Sequence, residues 1–193
     1  VREGAYLCDV LRAQNHKFNP SFKLSLESLK NRFSITEKAT LHIKKVALAL
    51  FDVLQPVHGL DARFKTELSV ACELHNIGIQ LGFYQSQLHS FYFILNNLNY
   101  GYSHEQKLLI AMIIKYHINK LPSDEDMQTY KVLLPSLETI HWLSCLLALS
   151  KALNSDLTQA NVSLSYQNHT LTIQSDSKLF LAKEHIKQLQ LKI

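Results

Sequence analysis

The chain has 193 residues, 47% hydrophobic and 19% charged, which supplies a large buried core and excludes a disordered chain. Five glycines and four prolines argue against a turn-rich β architecture and favour long helices, so a mainly α fold is expected. A formal net charge of +4 permits anionic partners without demanding them. Cys8, Cys72 and Cys145 are far apart and odd in number, which leaves no zinc knuckle and no disulfide framework, and fits reduced thiols in a cytoplasmic protein. No apolar run approaches the ~20 residues of a membrane span, and Val1-Arg2-Glu3-Gly4 lacks the apolar stretch of a secretory signal. A start at Val1 rather than Met fits a processed product or a piece cut from a longer protein; a piece is the expectation here.

In chain order, residues 3–15 suit a short helix carrying Leu7, Val10 and Leu11 on one side, and Asn19-Pro20 marks a linker. Leu26 and Leu29 recur at helical spacing within 22–30. Ser34-Ile35-Thr36-Glu37 offers polar caps for the next helix, over 37–54, with Ile43, Ala47, Leu50 and Leu54 on one face and Pro56 as its stop. A further helix is expected over 62–76, with Phe64, Leu68, Ala71, Cys72 and His75 on one face and Gly78 as its end. Helices follow over 87–98 and, capped by Ser103, over 104–118. Residues 122–126 read as a polar loop, and 137–153 as the last long helix. The period then changes. Val162, Leu164 and Tyr166 alternate, Asn168-His169 turns the chain, and Leu171 and Ile173 alternate again, which is a hairpin pattern. Residues 180–191 can return as a short helix or a strand.

Ten histidines are many for this length. His42 lies near a helix start, His75-Asn76-Ile77-Gly78 closes another helix, His89 opens an aromatic-rich segment, and His117 follows Tyr116 late in a later helix. This order of elements resembles the HD superfamily of metal-dependent phosphohydrolases, in which an early His, a His-Asp pair and a later Asp hold divalent ions. The carboxylates supply the charge that neutralises and bridges the cations. Here the pair is His75-Asn76, and the segment that would carry the later Asp carries Lys151. A neutral amide binds such ions weakly, and an ammonium repels them. Lys151 can stand where the cation was lost, bonded to Asn76 or paired with a nearby acid.

The resemblance narrows to one family. Val1-Arg2-Glu3-Gly4-Ala5, Glu73-Leu74-His75-Asn76-Ile77-Gly78, His89-Ser90-Phe91-Tyr92-Phe93-Ile94-Leu95, Glu105-Gln106 and Tyr116-His117 occur in the order of similar segments in Ppx/GppA phosphatases. The resemblance implies an HD-like helical domain, residues 23–156, with a small C-terminal β-hairpin appendage, residues 157–193, after the tail of an actin-like domain, residues 1–22. It implies a parent that removes terminal phosphates from polyphosphate or from guanosine pentaphosphate, with the catalytic acid and phosphate loops in actin-like domains of the same protein and Mg²⁺ as cofactor. No catalytic residue, metal or cofactor is assigned to this chain itself. The degraded cluster is His42, His75, Asn76, His117 and Lys151.

Lys44, Lys45, Lys107 and Lys115, with Lys120 beside them, can form an electropositive wall for polyphosphate, although interleaved acids such as Glu105 and Asp124 suit ordinary solvated helix faces as well. Phe83-Tyr84 and Phe91-Tyr92-Phe93 can stack on a nucleobase, but core and inter-helix packing is the commoner use of such runs. Cys145 is expected to pack rather than react. The expected role is an accessory domain that helps bind the anionic substrate and contributes to a homodimer, with neither membrane nor DNA as partner. The alternatives are a free-standing HD-type metal-dependent hydrolase and a purely structural oligomerisation module.

Overall fold

The structure is a computed structural model and describes residues 22–33, 35, 37–98, 101–118, 121–157 and 160–189. The helix expected over 3–15, the linker at Asn19-Pro20, the caps Ser34 and Thr36, the Val1–Ala5 segment and Lys120 lie outside these residues. Among them the fold is mostly helical with one two-stranded sheet. The helices are α1 Phe22–Arg32, α2 Glu37–Val53, α3 Gln55–His58, α4 Phe64–Leu74, α5 Ser86–Asn97, α6 His104–Tyr116, α7 Asp124–Thr129, α8 Leu137–Leu153 and α9 Phe180–Gln188. A 3₁₀ turn, Ile77–Gln80, follows α4, and β1 Val162–Gln167 pairs with β2 Thr170–Ser175 between α8 and α9.

Helix α8 is apolar nearly all round and buried along most of its length, as a helix enclosed by other helices must be. It packs against α2, α4 and α6, while α2 also packs on α4, and α6 on α4 and α5. Leu50, Phe51, Leu68, Leu74, Ile113 and Ile140 are among the side chains fully enclosed between these elements. The antiparallel hairpin turns at Asn168 and His169, both with positive φ (49° and 58°), the conformation that tight two-residue hairpins require. Its half-buried residues Leu164, Tyr166, Leu171 and Ile173 pack against the same core as the helices. Asp156 holds the start of α9, accepting bonds from the Leu181 and Ala182 amides at 3.1 and 2.9 Å.

Three local expectations are corrected. The polar loop at 122–126 contains the start of α7, because the Ser123 hydroxyl accepts from the Asp126 amide at 3.2 Å and three acids occupy the first turn. Pro56 does more than stop α2. It sits in the first turn of α3, where its missing N–H costs nothing. Gly78 is not the left-handed terminator of α4, which ends at Leu74 with His75 still right-handed.

The need for Gly78 is space. Its amide donates to Ser90 Oγ at 2.9 Å, and Ser90 Oγ donates to the His75 carbonyl at 3.1 Å, so the turn lies directly on α5. A Cβ at Gly78 would overlap the Ser86 carbonyl oxygen and the Ser90 backbone nitrogen. Backbone atoms of a helix cannot step aside as a flexible side chain does. Gly78→Ala is therefore expected to destabilise the fold by about 3 kcal/mol, measured as a lower urea midpoint at unchanged slope. A Gly82→Ala control, whose Cβ would sit 3.6 Å from His89, should leave that midpoint nearly unchanged. Equal midpoints for both variants would refute the close-approach argument.

Candidate functional site

The last turn of α4, the 3₁₀ turn, the end of α8 and one face of α2 enclose a cavity of about 410 Å³. Thr40 and Ile43 reach it from α2, His75, Asn76 and Ile77 from the turn, and Lys151 and Asn154 from the end of α8. Thr40 and Ile43 share a face because they are three residues apart on a helix. The helix period brings Lys151 and Asn154 together in the same way, at the last turn and cap of α8.

His75 is 2% exposed. Its Nδ1 lies 2.9 Å from the Cys72 carbonyl, which can only accept, so Nδ1 carries the proton and Nε2 keeps a lone pair. That Nε2 is enclosed without a hydrogen-bond partner. His117 repeats the pattern one layer away, with Nδ1 2.6 Å from the Ile114 carbonyl. Its Nε2 accepts from Lys151 Nζ at 3.2 Å. The two rings stand edge to face, with centroids 6.2 Å apart. Burial first, and then the Lys151 charge, push His75 down to about 3 and His117 down to about 4. Burial also lowers the pKa of Lys151. Both imidazoles are thus neutral at physiological pH.

His75, Asn76, His117 and Lys151 are brought together; His42 is not. It is half-buried on α2 outside the cavity, while Thr40 and Ile43 of the same helix line it. Burial and Lys45 lower the His42 pKa. Lys151 bonds His117, rather than Asn76 or an acid as its expected alternatives had it. Asn76 itself is exposed at the rim. The donor set does not suit a divalent ion of the HD type. Among the described lining residues there is no carboxylate, one imidazole lone pair is bonded to an ammonium, and that ammonium opposes a second cation. No chemical step is derived through a metal.

The lysines divide. Lys44 Nζ is 2.8 Å from Glu73 Oε1, and Lys115 pairs with Asp126 while lying 4.9 Å from the centre of the Phe91 ring. Neither is available as a free surface charge. Lys45 is exposed and Lys107 half-buried. The aromatics divide too. Phe91 is buried, and Phe93 packs on Phe33 with ring centroids 4.8 Å apart. The packing expected of Phe83, Tyr84 and Tyr92 fails: Phe83 is 80% and Tyr84 88% exposed, and Tyr92 is exposed as well. Phe83 and Tyr84 follow the tight 3₁₀ turn before α5 begins, and Tyr92 lies on the outer face of α5 itself. Cys145 is buried, and its thiol is pushed up to about 11 by that burial, as packing without reactivity requires.

Sequence reasoning missed two features. Lys30, on α1, is buried and donates to Glu73 Oε2 at 3.0 Å, so a buried carboxylate holds two lysines from two helices. Burial pushes Glu73 up, but the bonds and charges of Lys44 and Lys30 outweigh it and hold the carboxyl below the usual range. The other is Asn154, whose enclosed Oδ1 has no partner. A charged residue at a core-facing helical position, as Lys30 is beside Leu26 and Leu29, was the available signal for the first.

A family model described as Ppx/GppA phosphatase, domain III, matches residues 23–193. The chain belongs to the Ppx/GppA phosphatase family. The match runs through the His75–Gly78 turn, α8 and the hairpin alike, so the helical body and the appendage both lie within this Ppx/GppA domain. Other domains of the same parent protein are implied by it. Among the described residues no helix is long and apolar enough to cross a membrane.

Proposed function

We propose that this Ppx/GppA domain does no chemistry of its own and helps its parent phosphohydrolase hold an anionic substrate, polyphosphate or guanosine pentaphosphate. In this reading the parent is cytoplasmic and homodimeric, and Mg²⁺ acts at its actin-like domains. The observation that carries it is Lys151 bonded to His117 in a cavity with no carboxylate among its described lining residues, where metal-dependent hydrolysis would need negative oxygen ligands. Substrate contact falls to Lys45 and Lys107, since Lys44 and Lys115 are committed to internal ion pairs.

The test is polyphosphate binding across a salt series. Affinity should fall with salt, and the Lys45→Ala/Lys107→Ala variant should lose about 0.7 from the log–log salt slope for each lysine removed. Lys45→Arg/Lys107→Arg should keep the slope. Salt-independent binding, or a slope indifferent to both lysines, would defeat the substrate-contact role. Turnover by the chain alone, lost in Lys151→Met, would defeat the non-catalytic one.

A second reading, a docking or oligomerisation module, is favoured by exposed Leu81, Phe83, Tyr84 and Tyr92, a patch of the kind that partner surfaces use. Concentration-dependent dimerisation that Phe83→Ser/Tyr84→Ser abolishes, without polyphosphate binding, would select it.

A further inference from the structure

The ammonium of Lys151 borders the cavity largely buried, and its described partner is a neutral imidazole rather than an acid. Burying an uncompensated charge is costly. Two further polar atoms at the cavity are also unsatisfied, His75 Nε2 and Asn154 Oδ1, on side chains 2% and 5% exposed. Leaving a buried donor or acceptor without a partner is costly. Three unmet demands on one cavity point to a missing ligand.

Their chemistry defines it. His75 Nδ1 holds its ring proton against the Cys72 carbonyl, so Nε2 only accepts. Asn154 Oδ1 only accepts. Lys151 gives one N–H to His117 and has two left. The ligand must therefore present a negative oxygen to the ammonium and O–H donors to the two acceptors. A metal ion meets repulsion from Lys151, and an ionised carboxylate has no O–H. Sulfate has the shape and charge of a phosphate but no proton at neutral pH. A phosphate group with its second ionisation near neutrality carries both a negative oxygen and O–H. The cavity, about 410 Å³, lies in the range of small-molecule sites, and Phe33, Ile35, Ile43 and Ile77 give it an apolar wall for an organic substituent.

We propose that this cavity binds a protonated phosphate group with its anionic oxygen on Lys151: the monoanion of inorganic phosphate donates one O–H to His75 Nε2 and the other to Asn154 Oδ1, whereas a phosphomonoester monoanion has a single O–H and meets one of these two acceptors. The two acceptors are closed to solvent as they stand, so side chains around them shift as the anion enters, while Lys151 keeps one N–H on His117 and turns its other two to the anion. The site is separate from Lys45 and Lys107 and stands whether or not polyphosphate binds there.

The experiment is a titration of the ¹⁵N-histidine-labelled full chain at pH 7 and constant ionic strength, following the His75 and His117 ring nitrogens. Inorganic phosphate should shift both signals saturably and bind at least about tenfold more tightly than sulfate, which leaves the acceptors unmet. Lys151→Met, folded as judged by its amide spectrum, should abolish the response. Glycerol 1-phosphate binding more tightly than inorganic phosphate identifies the ester as the ligand class; equal or weaker binding identifies inorganic phosphate. Sulfate equal to phosphate, no saturable shift of either ring, or a response that survives Lys151→Met would overturn the proposal. The sulfate comparison needs no variant, so the proposal remains exposed even if Lys151→Met fails to fold.

Discussion

Glu73→Gln is expected to cost about 3–5 kcal/mol of folding stability, the usual penalty for removing one partner of a buried ion pair. Glu73 lies almost wholly inside, at the end of α4, with Lys30 Nζ 3.0 Å from one carboxylate oxygen and Lys44 Nζ 2.8 Å from the other. Without the negative charge, the buried Lys30 ammonium keeps its desolvation cost and loses a charged bond that helps to offset it. Nearby Glu27, 3.7 Å from the same ammonium, is half-exposed and too distant to compensate fully. The Lys30→Met/Glu73→Leu double variant should recover most of the loss, because two apolar groups of similar volume need no partner. Lys44→Met, whose side chain is about a third exposed, should cost less than Glu73→Gln. Urea unfolding of the three variants measures this. A Glu73→Gln midpoint within about 1 kcal/mol of wild type, or a double variant worse than either single change, would remove the pair from the forces that dock α1.

The contrast between Lys30 and the long helices explains how much of this fold the sequence revealed. Helices α2, α6 and α8 were legible because each repeats apolar residues at helical spacing over many turns, and Ser103 with Gln106 forms the full capping box that opens α6. The hairpin was legible from alternation over two short runs around Asn168-His169. What failed depended on distant chain. Nothing near Lys115 in sequence announces Asp126, so its side chain reads as a surface charge, and the place of Lys30 beside Leu26 and Leu29 signals burial without naming Glu73. Gly78 was noticed for the right turn and the wrong reason, since its constraint comes from Ser86 and Ser90 on the next helix. His42 was assigned to the cluster by its place on a helix start, but one residue along a helix is a 100° rotation, and Thr40 and Ile43 took the cavity side instead. Lys151 was legible as a misplaced cation. Its partner, His117, was not, because it lies 34 positions earlier in the chain, with α7 and most of α8 between them.

Mild acid should begin to destabilise this domain before its carboxylates are protonated. His75 and His117 titrate near 3 and 4 in the folded chain against about 6.5 when unfolded. A folded pKa below the unfolded one means that the unfolded chain takes up the proton first as pH falls. The stability contributed by the neutral rings is complete above about pH 6.5 and is lost progressively down to the folded values. Each histidine contributes a slope of about 1.4 kcal/mol per pH unit, so the pair should remove roughly 4–5 kcal/mol between pH 6 and pH 4, a large part of the stability of an ordinary domain. His42 and His58, also lowered chiefly by burial, act in the same direction. Glu73 and Asp126, which bonded lysines hold low, add to the loss only as pH falls below the ordinary carboxylate range. Urea midpoints at pH 7, 6 and 5 therefore isolate the histidines. Ring-proton spectra should show His75 and His117 unchanged from pH 8 to pH 5. In Lys151→Met the charge that reinforces burial is gone, so both rings should titrate higher, and the acid loss of stability, still beginning near pH 6.5, should be smaller and end at higher pH. A midpoint near 6.5 for either ring, or stability flat from pH 7 to pH 5, would show that these imidazoles are not held neutral by the buried environment around Lys151.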